Sequence, residues 1–171
     1  MKGIKGNLGI FFLAILFTLS GCKGCYRLSG INIPADVKSI SVKFFPNKAA
    51  IINPTLSQRF TEQLKDKFLR ETSLTLVANN GDFKISGEII DYKTEPIAFN
   101  TSTGTAKNRF SMTVRTVFEC STHKDLNFTE NIVKFQEFDA TQNFQTVEAN
   151  LSDEVNKQIV QEIFNKIALK W

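Results

Sequence analysis

Few residues in this 171-residue chain have the types and spacing for chemistry. The clearest is Cys22, which closes Leu19-Ser20-Gly21-Cys22. Small residues before a Cys match the bacterial lipobox, where they give a signal peptidase access to the backbone. The thiol would then accept a diacylglycerol, and cleavage before Cys22 would free an amine for further acylation. The competing reading is an ordinary signal peptide with an incidental Cys. Two other thiols remain, Cys25 and Cys120. An exported chain permits a disulfide between them, and two unpaired thiols are the alternative. Cys22 and Cys25 have a redox or zinc spacing, but acylation would consume the first thiol.

The single His, His123, lies in the polar run Ser-Thr-His-Lys-Asp, where a solvated loop His is the simplest reading. One His excludes multi-His metal centres and leaves at most one imidazole for acid–base work. No nucleophile-elbow, P-loop, zincin or dinucleotide fingerprint occurs. A hydrolase using His123 would need an acid or nucleophile brought close by folding, and no residue is nominated by spacing. Lys107, Arg109 and Arg115 cluster around one strand, with Lys124 and Lys134 as further neighbours. They are candidates to meet the phosphates of an anionic lipid, against the plainer reading of a solvated face.

The N-terminus carries a processing signal. Lys2 and Lys5 form a basic segment, and Leu8–Leu19 is an apolar run. As a helix it would reach only ~18 Å, short of a hydrocarbon core of ~30 Å. It fits a secretory signal over residues 1–21, leaving residues 22–171 as one mature domain with a short linker. Losing Lys2 and Lys5 takes the net charge from +4 to +2, so nothing resembles a nucleic-acid footprint. Hydrophobic residues at 42% and charged residues at 22% are ordinary for a globular chain. The 16 Phe could suggest a lipid groove, but most fall at core phases of the expected elements.

Those elements follow from periodicity. Tyr26–Ile31 reads as a short strand, and Ser39–Phe45 alternates as a second. Asn53-Pro54 reads as an N-cap and first helical residue. Leu56, Phe60, Leu64 and Phe68 then make one stripe, with an end near Arg70 or Glu71. Leu74–Ala78 is a β-type run, and Asn79-Asn80-Gly81-Asp82 predicts a hairpin turn into Phe83–Ile89. Glu95-Pro96 should interrupt that strand. Phe110, Met112, Val114, Thr116 and Phe118 alternate cleanly, opposite Arg109, Ser111, Thr113, Arg115 and Val117. Phe128–Phe138 alternates imperfectly, which suggests a bulge. A last helix begins between Thr146 and Asp153, on a stripe from Val147 to Ile167. The fold class is α+β: a two-layer sandwich of a mostly antiparallel or mixed sheet with two amphipathic helices on one face. The other sheet face is then open to a partner or to water.

The mature chain, over nearly its whole length, also resembles a known family. Cys22 with Tyr26, Gly30, Ile33-Pro34, Val37-Lys38 and Ile40 is similar to the start of the LPS-assembly lipoprotein family LptE in its Bacteroidetes form. The similarity continues through Phe44-Phe45-Pro46-Asn47, Asn53-Pro54-Thr55-Leu56-Ser57 and Phe60-Thr61-Glu62. It includes Leu64 to Phe68, Gly81-Asp82, Gly87-Glu88-Ile89, Phe138-Asp139-Ala140, and Ile163 to Lys166 with Trp171. Cys25 and Cys120 are not part of that pattern.

The resemblance implies a sheet with two helices on one face. It implies a non-enzymatic outer-membrane lipoprotein, anchored through Cys22 on the periplasmic side. Its implied partner is the β-barrel LptD, in which it sits as plug and assembly factor for lipopolysaccharide transport. Lipopolysaccharide itself is a further implied ligand, and no cofactor is implied beyond the covalent lipid. Lys23 rather than Asp after Cys22 agrees with outer-membrane sorting, and the absence of an acidic run there agrees with the periplasmic leaflet. A ligand-binding or adhesion lipoprotein with no barrel partner is the alternative.

Overall fold

The computed structural model describes residues 30–51, 53–100 and 105–169. Strand β1 spans Ser39–Val42, helix α1 Leu56–Glu71, β2 Thr75–Leu76, β3 Phe83–Asn100, β4 Thr105–Cys120, β5 Phe128–Asp139 and helix α2 Phe144–Ala168. A short 3₁₀ turn, Lys124–Leu126, joins β4 to β5. The five strands form one sheet in the order β2-β1-β3-β4-β5. Strands β3, β4 and β5 make an antiparallel meander, while β1 runs parallel to both β2 and β3. The parallel pair β1 and β2 needs a crossover, and α1 supplies it. The α+β expectation of a mixed sheet with two helices stands.

Both helices use the same sheet face. Helix α1 packs against β1 and β2, α2 against β4 and β5, and the helices touch each other. They run in the same direction: Asn53 meets Glu148 near their starts, Gln63 meets Asp153, and Phe68 stacks on Phe164 further along. The core is built from the stripes read in the sequence. Leu56, Phe60, Leu64 and Phe68 of α1, and Val155, Ile159, Ile163 and Ile167 of α2, are fully buried. They meet Phe83, Ile85 and Ile89 of β3 and Phe110, Met112, Val114 and Phe118 of β4. Area removed from water contributes roughly 25 cal/mol per Å², so these aromatic and aliphatic side chains dominate the stability of the layer.

Several local expectations are corrected. Residues Asn79-Asn80-Gly81-Asp82 do not close a hairpin, because β2 and β3 flank β1 rather than pair. The segment instead carries the chain across β1. Asn80 takes the left-handed φ of 55°. A Cβ on Gly81 would sit 2.6 Å from the Ser41 backbone nitrogen and 2.7 Å from the Ile40 carbonyl carbon. The close crossing is what requires glycine.

Asn53-Pro54 forms a turn before the helix, which begins at Leu56 with Thr55 as N-cap. Asn53 Oδ1 accepts the Thr55 N–H at 3.2 Å, so its capping chemistry is spent one turn early. Pro96 does not end β3. Beyond Ile89 that strand has β4 on one side and no strand on the other, and a proline is tolerated at such an edge.

The bulge expected in β5 is absent: its register with β4 runs unbroken from Phe128 opposite Phe118 to Asp139 opposite Lys107. Register shifts lie instead in β3, between Ile89 and Asp91 and between Ile97 and Asn100. The irregular alternation of β5 has another cause. Glu130 and Lys134 stand at helix-side positions and pair with Lys166 and Glu162 of α2. Helix α2 begins at Phe144, earlier than expected, where the Asn143 side chain accepts the Gln145 N–H. Of the expected strand Tyr26–Ile31, residues 26–29 lie outside the described residues, and Ile31 is not in a strand.

Candidate functional site on the open sheet face

The face away from the helices is built from the odd-numbered residues of β4 and their partners across the sheet. Alternation places Lys107, Arg109, Ser111, Thr113, Arg115 and Val117 on it, opposite the buried row Phe110 to Phe118. The register sets the rows. Glu95, Arg109 and Glu137 lie side by side, then Lys93, Ser111 and Phe135, then Asp91, Thr113 and Val133, then Glu88, Arg115 and Asn131.

The three candidate cations therefore share one face but not one cluster. Lys107 and Arg109 both reach Glu137, at 3.7 and 3.0 Å. The Arg109 guanidinium also lies 4.2 Å from the Phe135 ring centre, within cation–π range. Arg115 stands six residues along the strand, about 20 Å away by strand rise, flanked by Glu88 and Asn131 in the register. Lys93 is engaged by Asp91 at 3.4 Å and Glu95 at 3.8 Å. Lys134 is not part of this face, because it turns to Glu162 on the helix side. Lys124 lies on the 3₁₀ turn after β4.

Two features of the face escaped sequence reasoning. Val133 and Phe135 of β5 are 55% and 47% exposed, an apolar pair beside Arg109 and Thr113. Their signal is the irregular alternation of β5, a pattern that on sequence alone also suggests a bulge. Glu137 as shared counter-ion of Lys107 and Arg109 depends on the β4–β5 register and has no local signal.

His123 is on the surface with its Nε2 3.1 Å from Asp36 Oδ1. The His123 hydrogen bond holds the Asp36 carboxyl below its usual value. The Thr122 side chain also hydrogen-bonds the Asp36 carboxyl, so on this exposed turn the carboxylate is shared between His123 and Thr122. Cys120 is buried and forms no disulfide among the described residues, with its sulfur 3.4 Å from the His123 backbone nitrogen. Cys22 and Cys25 lie outside the described residues. Among the described residues, no group of three His, Cys, Asp or Glu is placed to hold a metal ion.

The sheet and its two helices coincide with a known family. The model of LptE, lipopolysaccharide-assembly, matches residues 37–167, from just before β1 to the penultimate residue of α2. The chain belongs to the LptE family. That membership gives it a role in lipopolysaccharide assembly. Solved structures share the LptE-family fold at low identity. A minor lipoprotein from Acinetobacter baumannii is 14% identical with a TM-score of 0.52, covering 77% of this chain and 92% of that one. The hypothetical protein CT253 from Chlamydia trachomatis is 10% identical with a TM-score of 0.51, covering 77% and 98%. At those identities the likeness concerns the fold alone. No curated protein matches the sequence.

Proposed function

We propose that this LptE-family chain is a non-enzymatic outer-membrane lipoprotein. It is acylated at Cys22, faces the periplasm, and partners an LptD-type β-barrel in delivering lipopolysaccharide. The observation that carries the reading is the family match over the whole sheet-and-helix layer. The lipobox at Cys22 supports the anchor, since two or more acyl chains give stable attachment. The open sheet face supports a binding role, because it offers cations and an exposed apolar pair. Crosslinking and pull-down from detergent-solubilised outer membrane tests the partnership. Recovery with a large barrel protein is the expected result, and recovery only as a free monomer would overturn it. An intact mass showing unmodified Cys22 would remove the anchor.

Within this reading, Lys107, Arg109 and Arg115 are candidate contacts for lipopolysaccharide phosphates. Arg115 is the more available cation, because Glu137 already engages the other two. Charge reversal at all three that left lipopolysaccharide binding unchanged would reject the assignment.

A further inference from the structure

The loop between β1 and α1 presents apolar side chains outward from a fixed scaffold. Phe44 is 59% exposed and Ile51 43% exposed. Neither exposure comes from slack in the backbone. Phe45, the next residue, is fully buried against Phe60 at 5.1 Å between ring centres, and its N–H donates to Thr61 Oγ1. Asn47 ties the loop internally: its Oδ1 accepts the Ala49 N–H at 2.9 Å and its Nδ2 donates to the Ile51 carbonyl at 3.2 Å. The N–H groups of Lys43 and Lys48 donate to the Ile85 and Ile89 carbonyls of β3. The loop is thus clamped to the sheet and to α1 while Phe44 and Ile51 are held in water.

Its charge is one-sided. Residues 37–61 contain Lys38, Lys43, Lys48 and Arg59 and no Asp or Glu. Lys43 and Lys48 are exposed and make no ion pair among the described residues, unlike the cations near Glu137 or on α2. Of the acids near the loop, Glu148 is taken by Tyr92 and Asn53, and Glu88 lies on β3 opposite Arg115. An aromatic and an aliphatic side chain flanked by two free lysines suit an interface with an anionic leaflet. The apolar tips enter the headgroup boundary while the lysine stems keep their charges at phosphate level.

The geometry points to the loop Lys43–Ile51 as a second membrane contact, seated on a phospholipid leaflet bearing anionic headgroups. This rests on the membrane-anchored part of the proposed function and not on the barrel partnership. It gives the lipid anchor a second attachment that sets the domain's orientation.

The test uses the full lipidated protein in nanodiscs of phosphatidylcholine alone or with phosphatidylglycerol. Lysines are acetylated by a water-soluble reagent and read by mass spectrometry. Lys43 and Lys48 should label about fivefold or more slowly with phosphatidylglycerol, each basic residue near an anionic surface gaining roughly that factor. Lys65 on α1 serves as the reference and should not change. Phe44→Ser with Ile51→Ser, both at exposed positions, should restore fast labelling without loss of helical signal. Equal labelling of Lys43 and Lys48 in the two lipids would overturn the inference. So would protection that arises only on adding the barrel partner, which would assign the loop to a protein interface. Partition of the same protein into detergent phase reports the anchor separately.

Discussion

Tyr92, fully buried on β3, donates its phenolic hydrogen to Glu148 Oε1 on α2 at 2.7 Å. The same oxygen accepts from Asn53 Nδ2 at 2.9 Å, so one carboxylate joins the central sheet, the second helix and the turn before the first helix. Tyr92→Phe should lower stability by about 1.5–3 kcal/mol, the range for a hydrogen bond to a charged group. Urea unfolding at constant slope would read it. A change below a few tenths would show that water replaces the hydroxyl without cost.

The same residue predicts an alkaline limb. Burial first, and Glu148 second, push the Tyr92 hydroxyl from 10.0 up to about 12. The fold holds the proton more tightly than the unfolded chain, so this contribution is complete below pH 10.0 and is lost as pH rises toward about 12. Thermal melts across that window should fall more steeply for the native protein than for Tyr92→Phe. Parallel slopes would contradict the assignment.

Asp82 predicts an acid limb of opposite sign. Its Oδ2 accepts from the Lys38 N–H, the Ser39 N–H and the Ser39 hydroxyl, at 2.8 to 2.9 Å. These bonds, led by the Lys38 amide, hold its carboxyl below the ordinary 3.8. Its contribution is present above that value and is lost as pH falls through the lowered one. Asp82→Ala should cost about 1–2 kcal/mol at neutral pH and flatten the acid side of the stability curve, as measured by denaturant midpoints.

Gly87→Ala should be among the most damaging single substitutions. The added Cβ would lie 2.0 Å from the Arg115 carbonyl oxygen and 2.6 Å from the Phe45 ring. Neither the β4 backbone nor a buried anchor ring can yield cheaply. Roughly 3 kcal/mol or more is expected, seen as a large drop in melting temperature or loss of soluble protein. A near-native melt would show that β3 and β4 can separate at this point.

Glu137→Gln separates binding from stability on the open face. Exposed ion pairs contribute little, so stability should change by less than about 1 kcal/mol. Lys107 and Arg109 lose their shared counter-ion, so binding to lipopolysaccharide should strengthen at low salt and converge with the native protein at high salt. No change at low salt would remove this end of the face from the binding surface.

What the sequence by itself determined was local. The stripe Leu56 to Phe68, the stripe Val155 to Ile167 and the alternation Phe110 to Phe118 each repeat at the period of one element. Each reports the buried face whatever its neighbour is. The family resemblance rests on short runs spread along the chain, and the family model bears it out over residues 37–167. Tertiary structure decided the pairings. Asn79 to Asp82 has the residue types of a hairpin, yet its path over β1 depends on where Ile40 and Ser41 lie, about forty residues away in sequence. Pro96 is tolerated because β1 stops pairing after Val42, which nothing near Pro96 encodes. Glu137 meets Lys107 and Arg109 only through the β4–β5 register. Side-chain period is a property of the chain's own backbone geometry, whereas strand order and charge pairing come from contacts between distant segments, and only folding brings those together.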